Sequence, residues 1–180
     1  MEQNHFRELA RLLSRLQGKR FAGAVIMRAD WQVTDSEPAA ASGLQVLKDR
    51  HGLLVACCVT GNEVLKVTML LGYRQEISRD ESSLTSQGNG QADRSTWSVS
   101  PLDVKRFTAD VGDTNWIHQG NQPVIPGLLL MEKLLAKRSA EMRQLSLRFH
   151  HAMFAGTVLV DWQAGKIFQR ERMTAAFHWQ

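Results

Sequence analysis

Residues 112–132 read Gly112-Asp113-Thr114-Asn115-Trp116-Ile117-His118-Gln119-Gly120-Asn121-Gln122-Pro123-Val124-Ile125-Pro126-Gly127-Leu128-Leu129-Leu130-Met131-Glu132. The stretch offers three things. Asp113, Asn115 and His118 share one short loop, so an acid, an amide and a titratable base can converge. Pro126-Gly127 opens a helix with a residue that has no side chain. Its backbone N–H and the positive end of the helix can meet an oxyanion there. Glu132 falls on the helical face of Leu128, Met131 and Leu135, away from the polar face of Lys133, Lys137 and Glu141. A carboxylate on an apolar face needs a partner or a task, because isolated burial of its charge is costly. It is also a candidate for a raised pKa. Plainer roles stay open for each residue. His118 can pack or cap the loop, Asp113 can be a turn residue after Gly112, and Glu132 can pair with an arginine such as Arg148.

Upstream, Thr96 to Val99 reads as a short strand, and Ser100-Pro101-Leu102-Asp103 as a helix start with a capping serine and an acid three residues later. That helix ends at Gly112. Downstream, a second helix runs from Leu128 to about Met142, followed by β-rich stretches over 145–154, 157–163 and 167–179, with Gly156 and Ala164-Gly165 as turns. The first part of the chain has a similar order. Phe6, Leu9, Leu12, Leu13 and Leu16 recur at helical spacing over 5–17, opposite Arg7, Arg11 and Arg15. Phe21 to Val33 is strand-like, 34–43 is a loop, and the apolar runs 51–60 and 63–73 flank a Gly61-Asn62 turn as a hairpin. Residues 75–95 are poor in apolar side chains and read as a linker. The expected organisation is an N-terminal α+β half over 1–75, a linker over 76–95 and a second half over 96–180. Each half has one helix and then three strand-like stretches, without a residue-by-residue repeat. A duplication, or one α+β domain with an N-terminal extension, both fit.

Composition narrows the class. The chain has 180 residues, 43% hydrophobic and 22% charged, which is globular and excludes a collagen-like or disordered protein. Its 22 basic and 18 acidic residues leave a net charge of +4, which favours an acidic partner without naming one. No apolar run is long enough to span a membrane. The N-terminus lacks the basic start and apolar stretch of a secretory signal. The only cysteines, Cys57 and Cys58, are adjacent in an apolar run. A disulfide between them would be strained, and both are expected as buried small hydrophobes in a cytoplasmic protein. No Cys/His cluster has zinc spacing, so no metal is expected, and no glycine-rich phosphate loop follows a strand. His150 and His151 are expected as successive surface residues of a strand, a poor joint metal site. Five tryptophans accompany scattered basic residues but no nucleic-acid motif.

With these residues in view, the chain resembles the hot-dog-fold dehydratases and hydratases of 3-hydroxyacyl thioesters, over roughly residues 96–180. Val99 to His118, with Asp103-Val104, Phe107 and Gly112 to His118, resembles the MaoC-like (R)-specific enoyl-CoA hydratases, with Trp116 where that branch has proline. His118, Pro123-Val124-Ile125-Pro126-Gly127 and Glu132 resemble the FabZ/FabA type of 3-hydroxyacyl-ACP dehydratase. Leu147-Arg148-Phe149 and Gly156 resemble the strand and turn that follow the central helix in both branches. The resemblance implies an α+β hot-dog fold, an antiparallel sheet wrapped around a long central helix; some relatives have two such halves, one of them degenerate, and the helix-then-strands order of residues 1–75 would suit that, as it would a plain N-terminal extension. The resemblance also implies interconversion of (3R)-hydroxyacyl and trans-2-enoyl thioesters without a cofactor. His118 would be the acid/base group, Asp113 or Glu132 its carboxylate partner, Gly127 the donor to the thioester carbonyl, and Asn115 a brace for the loop or a carboxylate. Acyl-ACP or acyl-CoA would be the substrate and a homodimer the assembly. A hot-dog thioesterase and a non-catalytic acyl-binding subunit are the alternatives.

Overall fold

The computed structural model of the chain describes residues 5–35, 42–72 and 93–180. The N-terminal amphipathic pattern forms helix α1, His5–Leu13, and buries Phe6, Leu9, Ala10, Leu12 and Leu13. Strand β1, Val25–Val33, sends Ala29 and Trp31 into the core. An exposed strand β2, Gly43–Arg50, follows. Strands β3, Leu53–Thr60, and β4, Glu63–Leu70, pair from Leu53–Leu70 to Thr60–Glu63 around the expected Gly61-Asn62 turn. Most of the expected linker, 76–92, lies outside the described residues, and the chain re-enters with β5, Arg94–Val99.

Helix α2, Pro101–Val111, is closed at both ends as its sequence signals. Ser100 Oγ accepts the Asp103 N–H at 3.1 Å while the Asp103 carboxylate accepts the Ser100 N–H at 2.8 Å. Gly112 ends the helix in the left-handed region at φ 75°. Helix α3, Gly127–Leu135, is apolar nearly all round, and Leu130, Met131 and Leu134 are fully buried. A helix of that kind belongs inside. It stops seven residues before Met142, and the Arg138 guanidinium lies 4.6 Å from the Trp31 ring centroid as the chain turns back. Strands β6, Gln144–Phe149, β7, Gly156–Asp161, β8, Lys166–Gln169, and β9, Arg172–Trp179, complete the chain. The stretch expected as one strand over 167–179 is therefore a hairpin, β8 and β9, turning at Arg170 and Glu171, both with positive φ.

Nine described strands form one antiparallel sheet in the order β2-β3-β4-β1-β6-β9-β8-β7-β5. At its centre β1 pairs with β6 from Arg28–Arg148 to Gln32–Gln144. On either side of this seam the chain traces the same path. After α1 the sheet order is β1-β4-β3-β2, and after α3 it is β6-β9-β8-β7. The equivalent runs, β1 to β4 after α1 and β6 to β9 after α3, each have four strands rather than the expected three. Helix α3 packs over β1 and β6, and α1 over β2, β3 and β4.

Candidate active site

Capping geometry and a network of main-chain bonds hold the loop between α2 and α3. The Asp113 N–H bonds back to Thr108 O at 2.9 Å, and Asp113 Oδ1 accepts the Asn115 N–H at 2.9 Å. Trp116–His118 form a single 3-10 turn. The Val124 N–H reaches Ile117 O at 2.9 Å, and the Ile125 N–H reaches Met153 O at 2.7 Å. These bonds tie the segment before α3 to the chain leaving β6, so both ends of the loop are anchored.

His118 is more enclosed than Asp113, with 10% of its side chain exposed against 28%. Its Nδ1 lies 2.7 Å from the Val124 carbonyl, which can only accept, so Nδ1 carries the proton and donates. The free lone pair is then on Nε2, which faces Asp113 Oδ2 at 3.5 Å. Burial pushes the imidazole below its usual 6.5, and the Asp113 charge and the Val124 carbonyl oppose that shift. The ring is therefore neutral near pH 7 with its basic nitrogen toward a carboxylate. The gap exceeds a hydrogen bond, so a hydroxyl or water placed beside both groups can bond to each.

The two groups stand on the wall of a cavity of about 540 Å³. Gly127, Phe149 and Met153 line it, as do Leu13 and Phe21 from the N-terminal half. Gly127 begins α3, where first-turn N–H groups have no intrahelical acceptor. A Cβ there would lie 2.7 Å from Phe149 Cζ, so the ring requires glycine. Asn115 braces the loop against the N-terminal half: its Oδ1 accepts the Gly23 N–H at 2.9 Å and its Nδ2 donates to Ala24 O at 2.8 Å.

Glu132 occupies a different place. It is not among the residues lining the cavity. Arg7 of α1 holds it through both carboxylate oxygens, at 2.6 Å and 3.1 Å, and also reaches Asp110 of α2 at 2.8 Å. Arg11 bonds to the same Asp110. The partner is thus Arg7 rather than Arg148, and the pair ties α3 to α1. His150 and His151 sit in a bend after β6, not in a strand, and both border the cavity, His150 from an exposed position. Cys58 is fully buried, its thiol pushed up to about 12 by burial, while Cys57 on the opposite face is half-buried.

No protein-family model matches the sequence, and no curated protein does. Solved structures do match. A MaoC-like dehydratase from Phytophthora capsici aligns with a TM-score of 0.54 at 16% identity, over 87% of this chain and 70% of that one. HtdX from Mycobacterium tuberculosis aligns with 0.52 at 16% identity, over 96% of this chain and 84% of its own. The chain has the hot-dog fold. A 12:0-ACP thioesterase from Umbellularia californica shares it, with a TM-score of 0.53 at 10% identity over 98% of this chain and 87% of that one. Dehydratases and thioesterases thus share one hot-dog architecture, and local chemistry must separate them. Among the described residues no helix is long and apolar enough to cross a membrane. The N-terminal wall of the cavity was not signalled by any motif. Its only sequence trace is that Leu13, Leu16 and Phe21 are apolar residues around Gly18, where the helical pattern stops.

Proposed function

We propose that this cavity interconverts (3R)-hydroxyacyl and trans-2-enoyl thioesters, with His118 and Asp113 as the acid/base pair. The observation that carries the reading is the His118 Nε2 lone pair facing Asp113 Oδ2 at 3.5 Å on the cavity wall. In dehydration, the neutral Nε2 takes the α-proton and passes it to the departing β-hydroxyl, water leaves, and the Asp113 carboxylate steadies the imidazolium between the two transfers. In hydration, Nε2 takes a proton from a water held by the Asp113 carboxylate as its oxygen adds to Cβ, and the imidazolium delivers that proton to Cα. Each direction begins and ends with a neutral ring. Charge that develops on the thioester oxygen is met by the Gly127 N–H at the positive end of α3. The Arg7 pairing of Glu132 favours Asp113 for the carboxylate role and gives Glu132 the task of joining helices.

The N-terminal half is, on this reading, a hot dog whose described part begins at its helix and which supplies a wall instead of a catalytic loop. The shared strand path on both sides of the seam supports this. Both halves border the cavity, so on this reading one chain carries the acid/base pair together with walls from each half. Either an acyl carrier protein or CoA can bear the thioester.

Incubating the protein with crotonyl thioesters and following the conjugated enoyl absorbance tests the proposal. Hydration that His118→Ala abolishes is the expected result. Release of free thiol would assign the thioesterase reaction instead. Binding without turnover on either carrier would assign an acyl-binding subunit.

A further inference from the structure

The face of the sheet away from the helices carries a band of cations. Strand register aligns Lys48, Val55, Thr68, Arg28, Arg148, Ala176 and Lys166 across seven adjacent strands, β2 to β8. Two residues along the strands, Lys66, Asp30, Ser146 and His178 form a parallel line. Ladder partners share a face and alternate residues return to it, so both lines project the same way. The intervening residues, such as Ala29, Trp31, Val67, Leu147 and Ala175, are buried on the other side. Lys48, Lys66, Arg148, Lys166 and His178 are exposed, and Arg28 keeps 55% of its side chain in solvent. Asp30 is the one carboxylate in the two lines as far as β8; beyond it Lys166 faces Asp161 of β7, which accepts from Arg94 at 3.1 Å. Asp30 is held by Arg28 at 2.8 Å and by the Ser146 hydroxyl at 2.6 Å.

This band crosses the place where the sheet opens. Pairing of β1 with β6 ends at Arg28–Arg148. Immediately beyond, Met27 is the extra residue of a bulge, since Ile26 faces Met69 while Arg28 faces Thr68. Met27, 41% exposed, and His150, also exposed, both border the cavity. The cavity therefore has exposed lining just past the Arg28–Arg148 pair, as it also has at Lys19 and Trp116.

We propose that this cationic face docks an acidic carrier protein, which delivers the acyl thioester through the opening beside Met27 and His150. The proposal rests on the thioester reading above and narrows its substrate to the carrier-borne form. Charge complementarity selects the occupant. A second copy of this chain would set cations against cations, and that repulsion opposes a symmetric pairing through the face. A flat anionic membrane fits poorly too. The band runs about 29 Å across the strands, and each strand turns by about 20–25° relative to the last, so a plane touches only part of it. A compact acidic protein can sit on the part of the band beside the opening and place its thioester arm there.

The test compares Lys66→Glu/Arg148→Glu/Lys166→Glu with the unmodified protein. Binding of a fluorescent holo acyl carrier protein is read by anisotropy, and hydration is read on crotonyl-carrier and on crotonyl-N-acetylcysteamine. The triple variant should bind the carrier at least about tenfold more weakly and lose a similar factor in kcat/KM on the carrier substrate. Hydration of the small neutral thioester should stay within about twofold, because none of the three residues borders the cavity. Unchanged carrier binding in the triple variant overturns the proposal, as does absence of carrier binding by the unmodified protein. Charge-sensitive binding to duplex DNA or anionic vesicles in place of the carrier also overturns it. If no thioester is hydrated yet the carrier binds and the triple variant loses it, the docking face stands and the catalytic reading falls.

Discussion

The two sides of the β1–β6 seam follow one path and carry different chemistry. After α1 and after α3 the strands take equivalent places in the sheet. Helix α3 is apolar on nearly every side and lies inside, whereas α1 turns Arg7 and Arg11 toward acids of the other half. The loop before α3 holds Asp113 and His118, while the segment after α1 contributes wall residues such as Leu16 and Phe21. A shared topology fixes where a cavity can form between halves, and it leaves open which half arms it. On the proposed reading one half supplies the proton chemistry and the other part of the wall that encloses it.

The largest expected effect breaks the armed side alone. His118→Ala or Asp113→Asn should lower kcat for crotonyl thioester hydration by about 10²–10⁴-fold. Glu132→Gln should cost less than about tenfold. A Glu132→Gln loss as deep as that of Asp113→Asn would reverse the carboxylate assignment.

Next comes the close approach at the start of α3. Gly127→Ala must displace Phe149, whose Cζ lies 2.7 Å from the added methyl. Urea denaturation should show a loss of about 1–3 kcal/mol, and Phe149→Leu in the same chain should restore part of it. No loss in the single variant would mean the ring moves freely.

Smaller again is the tie between halves. Arg7→Ala leaves Glu132, with 18% of its side chain exposed, without its bidentate partner. A destabilisation of about 1–2 kcal/mol is expected, moderated by the partial exposure of both groups. Asn115→Ala should raise KM more than it lowers kcat, because Asn115 holds the loop to Gly23 and Ala24 and does not itself accept a proton.

The subtlest comparison is in pH. Burial holds the folded His118 pKa below 6.5, so the unfolded chain takes up that proton first as pH falls. The contribution of His118 to stability is therefore complete above about pH 6.5 and declines below it. An NMR titration of the His118 ring should give a midpoint under 6.5, and Asp113→Asn should lower it further by removing the charge that raises it. A midpoint above about 7 would make the imidazole largely a cation at rest and remove the neutral base.

Much of the fold was legible in the chain where its signals are local. Ser100 and Asp103 specify a capping box, Gly112 a left-handed stop, and Gly61-Asn62 a tight hairpin, each through its own backbone or side-chain bonds. His118, Asp113 and Gly127 stand close together in the sequence, take their proposed roles from the resemblance, and line one cavity. Other features had no local signal. Strand β2 exposes Val46 and Leu47 and gains its identity from pairing with β3. Arg170 and Glu171 turn a hairpin without the glycine or asparagine that such positive φ values favour. Residues 136–142 have good helix formers, yet α3 ends at Leu135 because the chain must return to pair β6 with β1.

By itself the sequence determined the chemical inventory: an acid, an amide and an imidazole on one loop, and a bare helix start after it. Short-range bonding suffices for that, since each motif closes within a few residues. Only the tertiary structure decided which carboxylate meets His118. Asp113 and Glu132 are both acids near the right motif, and their fates differ through Arg7, which is 125 residues from Glu132 along the chain and 2.6 Å away in space. The same holds for the cavity wall from α1 to β1 and for the cationic band, which exists only because six strand pairings bring distant lysines and arginines into line.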